Sequence, residues 1–363
     1  MKKLHRAASF LLRMGFPWPG ARRDSWSRAG RKALLRRWPA ALRPFIWILS
    51  ATVWPVSSLI LSLRVAKRAK TGPRGLWWQC WHAALTRNIP PREFVLYQLH
   101  LIGALDKNWT YESETSTLLG QISHSETAAL IRDKRAFHDW LSERGMPVVE
   151  IIEHLNVPAI IVKPREGRRG DGLVTWTQVD KGLWRSRTAC EGGAIQTISS
   201  DALLSQLRSS DVIQQRVVEA GLGLDQPAVT RIITTRTEAE AHVLEALVQI
   251  PAEGDLTSHR GPFRRVRVET GEVREAGPGQ RSLMIGGLRP VMPLEGQILP
   301  GWHEILAHLI RAHKALPPPC PLIGWDVIWG SEGPLILEAN IGIAFTLVQT
   351  DTLEPVCLPE GVL

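Results

Sequence analysis

Three kinds of hydrophobic pattern follow one another along the chain. Between residues 45 and 63 the run FIWILSATVWPVSSLILSL carries no charge for nineteen residues, the lower limit for a helix that spans a bilayer. Over 77–119 apolar residues recur at helical spacing, most plainly in PPREFVLYQLHLIGAL behind its proline start. Beyond residue 124 the pattern is mixed. A helix is expected around 132–144 and a short strand at 159–163, followed by a loop and then by strands alternating with brief helices. Short strand pairs joined by Gly-containing turns outnumber long βαβ crossovers, which predicts an α+β fold with antiparallel sheet. The expected organisation is a basic N-terminal segment (1–74) holding the apolar helix, a helical region (75–124), a catalytic domain (125–350) and a short tail (351–363).

Charge changes the reading of the N-terminus. The net charge is +9, but residues 1–74 hold 17 of the 44 Lys and Arg and a single acid, Asp24. The remainder carries 27 basic and 34 acidic residues, the surface of an ordinary globular enzyme. Eight of the fifteen tryptophans lie in the first 81 residues, and indole rings favour the headgroup region of a bilayer. Basic residues flank 45–63 on both sides, so the positive-inside bias selects no orientation. Three placements remain: a helix in the membrane interface, a shallow hairpin bent at Pro55, or a helix buried against the catalytic domain. A nucleic-acid partner is not expected, because Trp-rich apolar stretches do not serve phosphate binding. The opening MKKLHRAASFLLRMGF imitates a signal peptide, but Arg13 interrupts its apolar run and no clean cleavage site follows. Four scattered cysteines, Cys80, Cys190, Cys320 and Cys357, suggest neither a zinc site nor a disulfide framework.

Two segments carry chemistry. In PAIIVKPREGRRGDGLVTW a strand ending at Lys163 joins a second strand through a loop containing Gly167, Gly170 and Gly172. A Walker loop or dinucleotide fingerprint leads into a helix, whereas Leu173-Val174-Thr175-Trp176 is strand-like. A glycine loop between antiparallel strands is either a plain hairpin turn or a lid that lends backbone N–H groups to a triphosphate. In GWDVIWGSEGPLILEANIG a hairpin brings Asp326 on one strand towards Glu338 and Asn340 on the next. Strand residues two apart share a face, so Glu338 and Asn340 project together. Two carboxylates and a carboxamide are hard oxygen ligands suited to Mg²⁺, and a buried carboxylate pair needs a compensating cation.

A strand lysine before a glycine lid, followed late in the chain by Asp and then Glu-x-Asn, resembles the ATP-grasp superfamily, and most nearly its sugar-transfer-associated group. That resemblance implies two α+β lobes gripping ATP, preceded here by the basic helical region. Lys134, in IRDKRAFHDWL, resembles the early lysine that reaches the ATP phosphates, and Lys163 the lysine near the α-phosphate and adenine. The stretch DVIQQRVVEAG resembles the hinge whose backbone meets the adenine edge, with Gln214, Gln215 and Val217 as contacts and Glu219 on the ribose. Arg231, in AVTRIITT, resembles the arginine that steadies the γ-phosphate and acyl phosphate. Asp326, Glu338 and Asn340 would hold Mg²⁺, with Mn²⁺ as the alternative ion. Arg264, Arg265 and Arg267 either meet an anionic acceptor or line an exposed strand.

The implied activity is an ATP-dependent carboxylate–amine ligase that proceeds through an acyl phosphate. Its expected substrates are small-molecule or lipid-linked carboxylates and amines of cell-envelope or exopolysaccharide assembly. A phosphotransferase and a non-catalytic nucleotide-binding module are the rivals. The expected location is cytoplasmic, peripheral or monotopic on the inner face of the membrane, with residues 1–74 against an anionic surface.

Overall fold

The computed structural model describes residues 39–69, 72–87, 89–103, 105, 107, 109–165, 173–188, 195–207, 211–224, 226–238, 240–250, 262–279, 294–343 and 345–356, with isolated positions before residue 39. The expected lid glycines Gly167, Gly170 and Gly172 lie outside them. The chain divides into two compact units: Met1–Ile122 with Ala276–Pro290 and Gly342–Leu363, and Ser123–Glu275 with Val291–Ile341.

The first unit is helical: α1 (Arg43–Ala69), α2 (Pro73–Arg87), α3 (Pro91–Leu96), α4 (Leu99–Ile102) and α5 (Glu112–Ile122), with α10 (Thr346–Thr352) returning to it. The uncharged run falls inside α1, a 27-residue helix that passes through Pro55 without the hairpin bend. Pro55 cannot donate to the helix ladder, but its carbonyl accepts the Trp77 indole N–H at 3.0 Å. Among the described residues no helix is long and apolar enough to cross a membrane. The unit's core gathers Leu76, Cys80, Ile89, Phe94, Tyr97, Trp109 and Tyr111, with Tyr97 and Trp109 stacked at 4.9 Å. Gln349 ties α10 to this core. Its Nε2 donates to Tyr97 Oη at 2.9 Å and to the Thr110 carbonyl at 2.8 Å, while its Oε1 accepts from the Thr110 N–H.

The second unit contains α6 (Ser125–Arg132) and α7 (Lys134–Ser142), followed by two five-stranded sheets. The first sheet comprises β1 (Ala159–Pro164), β2 (Val174–Asp180), β3 (Leu183–Thr188), β4 (Thr197–Ser199) and β5 (Asp211–Gln215), in the order β4-β3-β2-β1-β5, with α8 (Ser200–Gln206) after β4. The second comprises β6 (Val229–Arg236), β7 (Ala241–Gln249), β8 (Phe263–Arg265), β9 (Leu322–Gly330) and β10 (Gly333–Asn340), in the order β10-β9-β6-β7-β8, with α9 (Trp302–Ala315) before β9. Every paired strand is antiparallel. This is the α+β class that the pattern of short strand pairs predicts.

Period-two alternation divides β9 cleanly. Ile323, Trp325, Val327 and Trp329 enter the hydrophobic core with Trp302, Ile305, Leu309 and Ala312 of α9, residues spaced three, four and three apart on one helical face. Gly324, Asp326 and Ile328 therefore face the other way. Burying the Trp325 and Trp329 side chains contributes several kcal/mol, on the order of 2–3 each at about 25 cal/mol per Å², and fixes which face of β9 is left for chemistry.

Candidate functional site

The site is built on the side of the second sheet that its core does not use. β6 and β10 flank β9. Arg231 pairs across strands with Asp326, just as its neighbour Ile232 pairs with Trp325 on the core side. The Arg231 guanidinium grips both oxygens of Asp326: Nη2 reaches Oδ2 at 2.9 Å, and Nε bonds Oδ1. Such a fork holds a carboxylate in one orientation.

The arrival of Glu338 depends on a bulge. From the turn onwards β10 pairs Gly333 with Gly330, Leu335 with Ile328 and Ile336 with Val327. In that register Glu338 would fall opposite Trp325, on the core side. Between Ile336 and Glu338 the register shifts, and Glu338 pairs with Asp326 and Asn340 with Gly324. Leu337 is the extra residue, so Ile336 remains in the core while Glu338 and Asn340 turn to the opposite face. The outer edge of β10 fixes the position: Ile336 N–H donates to Pro147 O at 2.7 Å, and Ile336 O accepts from Val149 N–H at 3.2 Å. Asn340 Nδ2 lies 3.4 Å from both Asp326 Oδ2 and Glu338 Oε1.

The first sheet adds the lysine. Ile160 and Val162 of β1 pack into its core with Trp176 and Trp184. Lys163, one residue out of phase, is buried on the opposite face. The β1–β5 register pairs Ile161 with Gln214 and Ile160 with Gln215. Gln214 thus shares the face of Lys163, and Gln215 points to the core side, a choice that the sequence left open. Gln214 is buried, and its Oε1 has no hydrogen-bond partner in the structure. Lys134, Gln214 and Glu338 line one narrow cavity with Ile131, Phe137, His138 and Leu141.

Electrostatics bind these groups together. Burial pulls the Lys163 ammonium down to about 8 and Lys134 pushes the same way, while Glu338 and Asp326 oppose both. Burial pushes Asp326 up to about 6 against the attraction of Arg231. Burial also works against an ionised Glu338, but Lys163 and hydrogen bonds from Asp326 and Asn340 outweigh it and hold the carboxyl below its usual range. Two carboxylates this close are tolerated because three cationic side chains, Arg231, Lys163 and Lys134, act on them.

Lys134 is positioned by a helix cap. Asp133 Oδ1 accepts from the N–H groups of Arg135 and Ala136, which begins α7. Arg165, two residues beyond Lys163, donates to both Asp133 oxygens, and the Lys134 N–H bonds the Arg165 carbonyl at 3.2 Å. The start of α7 is thereby tied to the end of β1, which brings the two lysines to one region. Nothing in the sequence pattern singles out Arg165. The cavity residues Lys134, His138 and Leu141 of α7 do follow a legible 4-3 helical spacing.

The hinge contacts are occupied differently from the resemblance. Gln215 N–H donates to Glu150 O and Arg216 N–H to Ala159 O. Glu219 accepts from the N–H groups of Gly221 at 2.9 Å and Leu222 at 2.6 Å, closing its own turn. Val217 lies against Gly330, where a Cβ would meet its Cγ1 at 2.7 Å. The three arginines expected on an exposed strand or at an acceptor are all engaged by carboxylates. Arg264 is buried on Glu295, Arg265 grips both oxygens of Glu245 at 2.9 Å, and Arg267 meets Glu272 at 3.2 Å. Burial of Arg264 corrects the exposed-strand expectation for that residue.

The donor set suits a small hard cation. Asp326 and Glu338 offer carboxylate oxygens from adjacent strands beside the Asn340 carboxamide, and a magnesium ion takes one or two carboxylates and completes its shell with water and phosphate oxygens. Among the described residues no group of three or more His, Cys, Asp and Glu side chains is placed to hold a metal, so this set fits such an ion only with the amide of Asn340 and oxygens from a ligand.

No protein-family model matches the chain, and no curated protein matches it. Solved structures do. N5-carboxyaminoimidazole synthetase from Staphylococcus aureus complexed with ADP is similar at a TM-score of 0.40 and 11% identity, over 68% of this chain and 59% of its own. An ATP-grasp superfamily protein from Archaeoglobus fulgidus gives 0.35 and 13%, over 66% and 56%. L-amino acid ligase from Bacillus licheniformis gives 0.35 and 13%, over 70% and 54%. The chain thus spans little more than half the length of each of these structures.

Proposed function

We propose that this protein is an ATP-dependent ligase of the ATP-grasp kind, joining a carboxylate to an amine through an acyl phosphate. One observation carries the reading: the bulge at Leu337 turns Glu338 and Asn340 to the face where Arg231 grips Asp326, and the buried Lys163 faces the same carboxylates. A phosphoryl-transfer site needs cations and anchored carboxylates gathered in this way.

In the proposed reaction a carboxylate oxygen of the substrate attacks the γ-phosphorus of ATP. The bond to the β–γ bridging oxygen breaks, and ADP leaves. The amine nitrogen then attacks the acyl carbon, phosphate departs with the C–O bonding pair, and the nitrogen loses a proton to solvent as the amide forms. Lys134 and Lys163 neutralise phosphate oxygens, Gln214 presents its unpaired oxygen to the nucleotide cavity, and Arg231 orients Asp326 and faces the transferred group. Magnesium held by Asp326, Glu338 and Asn340 would supply charge neutralisation of the phosphate oxygens. The glycines Gly167, Gly170 and Gly172 are proposed as the lid, and the backbone of 215–219, with Gln215, Val217 and Glu219, as the hinge beside the adenine. The substrates proposed are small or lipid-linked carboxylates and amines of envelope or exopolysaccharide assembly, used on the cytoplasmic side.

The experiment is ADP release from ATP and Mg²⁺ with pools of carboxylates and amines. A carboxylate-dependent signal trapped by hydroxylamine as a hydroxamate is expected. A stable phosphorylated product would instead identify a phosphotransferase and end the ligase reading.

A further inference from the structure

We infer that the outward face of α1 is a docking surface for an anionic lipid bilayer, with the helix lying along the surface. The inference stands on the first unit alone and is independent of the ATP reading.

α1 reverses the usual arrangement of a surface helix. Its inward side is mostly small: Ser58, Ser62 and Ala66 are buried along with Trp54. Ser58 Oγ meets Cys80 Sγ of α2 at 3.4 Å, and Trp54 packs on Ala84. Small side chains let the two helices approach closely. Six large apolar residues point away. Phe45 is 65% exposed, Ile48 54%, Val56 57% and Leu63 51%, with Leu59 and Ile60 beside them. At about 100° per residue these six fall within an arc of roughly 120°, and at about 1.5 Å per residue the row is about 27 Å long. A continuous apolar row of this size on a protein surface marks a contact.

Charge selects the partner. Residues 25–92 contain no acidic side chain, while in the sequence basic residues precede the row, from Arg28 to Arg43, and follow it, from Arg64 to Arg74. Two copies of such a segment repel, which disfavours the row as a dimer seam. A protein groove would need polar groups to fix orientation, and among the described residues the outward arc carries only Thr52 between its apolar residues. An anionic bilayer needs only an apolar face to enter the headgroup boundary and cations on either side to meet lipid phosphates. The exposed Trp78 of α2 is of the type that prefers that boundary.

The test is co-sedimentation of the full-length protein with vesicles of phosphatidylcholine alone and of phosphatidylcholine mixed with phosphatidylglycerol, without ATP. Binding to the mixed vesicles is expected to exceed binding to the neutral ones by about tenfold or more, and to fall with added salt. The double variant Ile48→Glu/Leu59→Glu should weaken it by roughly tenfold or more with an unchanged far-UV spectrum. Equal binding to both vesicle types by the wild-type chain overturns the inference, whatever the variant does. So does a protein that ignores vesicles and self-associates, or binds another protein, through this row.

Discussion

Arg231 and Asp326 are direct cross-strand partners on β6 and β9, and the guanidinium of one holds both carboxylate oxygens of the other. Asp326 is buried, so removing the fork takes away the cation hydrogen-bonded to both its oxygens and leaves a poorly compensated carboxylate. Arg231→Met is expected to lower the unfolding free energy by about 3–5 kcal/mol at pH 8. Such a carboxylate has a raised folded pKa, so the folded variant binds more protons than the unfolded chain and gains stability as pH falls. The gap to wild type should narrow between pH 8 and pH 5 in urea titrations. A gap independent of pH would show that Arg231 acts by packing alone.

Glu338 has no other carboxylate to replace it on the β10 face. Glu338→Gln keeps the shape and removes the charge that acts on Lys163 and on the cation proposed to bind there. ATP turnover with Mg²⁺ should fall by about 100-fold or more, and chelation of divalent ions with EDTA should do the same to the wild-type chain. Turnover at the wild-type rate in the variant, with circular dichroism unchanged, would remove Glu338 from the site.

Asp133 both caps α7 and receives Arg165 from the end of β1. The ion pair is half-exposed and adds little by itself. Loss of the cap in Asp133→Ala should cost about 1 kcal/mol, seen as a lower melting midpoint. Because Lys134 opens that helix, the apparent KM for ATP should rise while kcat changes less. An unchanged KM would mean that α7 keeps its place without the tie.

His313 is buried in a polar chain that runs from the Trp325 indole N–H to Thr234 Oγ1 at 2.7 Å, from Thr234 to His313 Nδ1 at 2.8 Å, and from His313 Nε2 to the Cys320 carbonyl at 2.7 Å. Thr234 accepts from the indole, and with the imidazole neutral and its Nε2–H on the carbonyl, the hydroxyl donates to Nδ1. Burial holds the imidazole down to about 4 from an ordinary 6.5, although the Cys320 carbonyl favours the charged form; Arg236 pushes the same way as burial. The unfolded chain therefore binds the proton first, and stability is lost as pH falls from about 6.5 towards 4, by roughly 3 kcal/mol in all. His313→Leu should be less stable at pH 7 and show a flatter stability profile across that window. Equal slopes in the two proteins would contradict the neutral assignment.

Much of the second unit is legible in the sequence, for a local reason. The alternation of Ile323, Trp325, Val327 and Trp329 announces a strand with one core face, and the two-residue spacing of Glu338 and Asn340 places them on one side of another. Residue types alone nominate Asp326 as a companion. Alternation cannot show an inserted residue, however. Continued without interruption, the register from the turn would set Glu338 opposite Trp325; the bulge at Leu337, stabilised where Pro147 and Val149 bond Ile336, sets it opposite Asp326. The ladder decides this because a bulge depends on both flanking segments, and those are distant in sequence.

The same division holds elsewhere. The sequence determined that residues 45–63 form an uncharged, helix-length run in a basic surrounding, since composition and length require no partner to be read. Only the tertiary structure decided that Ser58 and Ser62 turn inward with Trp54 while Phe45, Ile48, Val56 and Leu63 turn outward, because a helix acquires its faces from what packs against it. Likewise Arg231 was recognisable as a charged residue within an apolar stretch, and Gln214 and Gln215 as adjacent polar residues. The anion that Arg231 holds, and the glutamine that shares a face with Lys163, were set by register across strands, which a single strand's sequence does not contain.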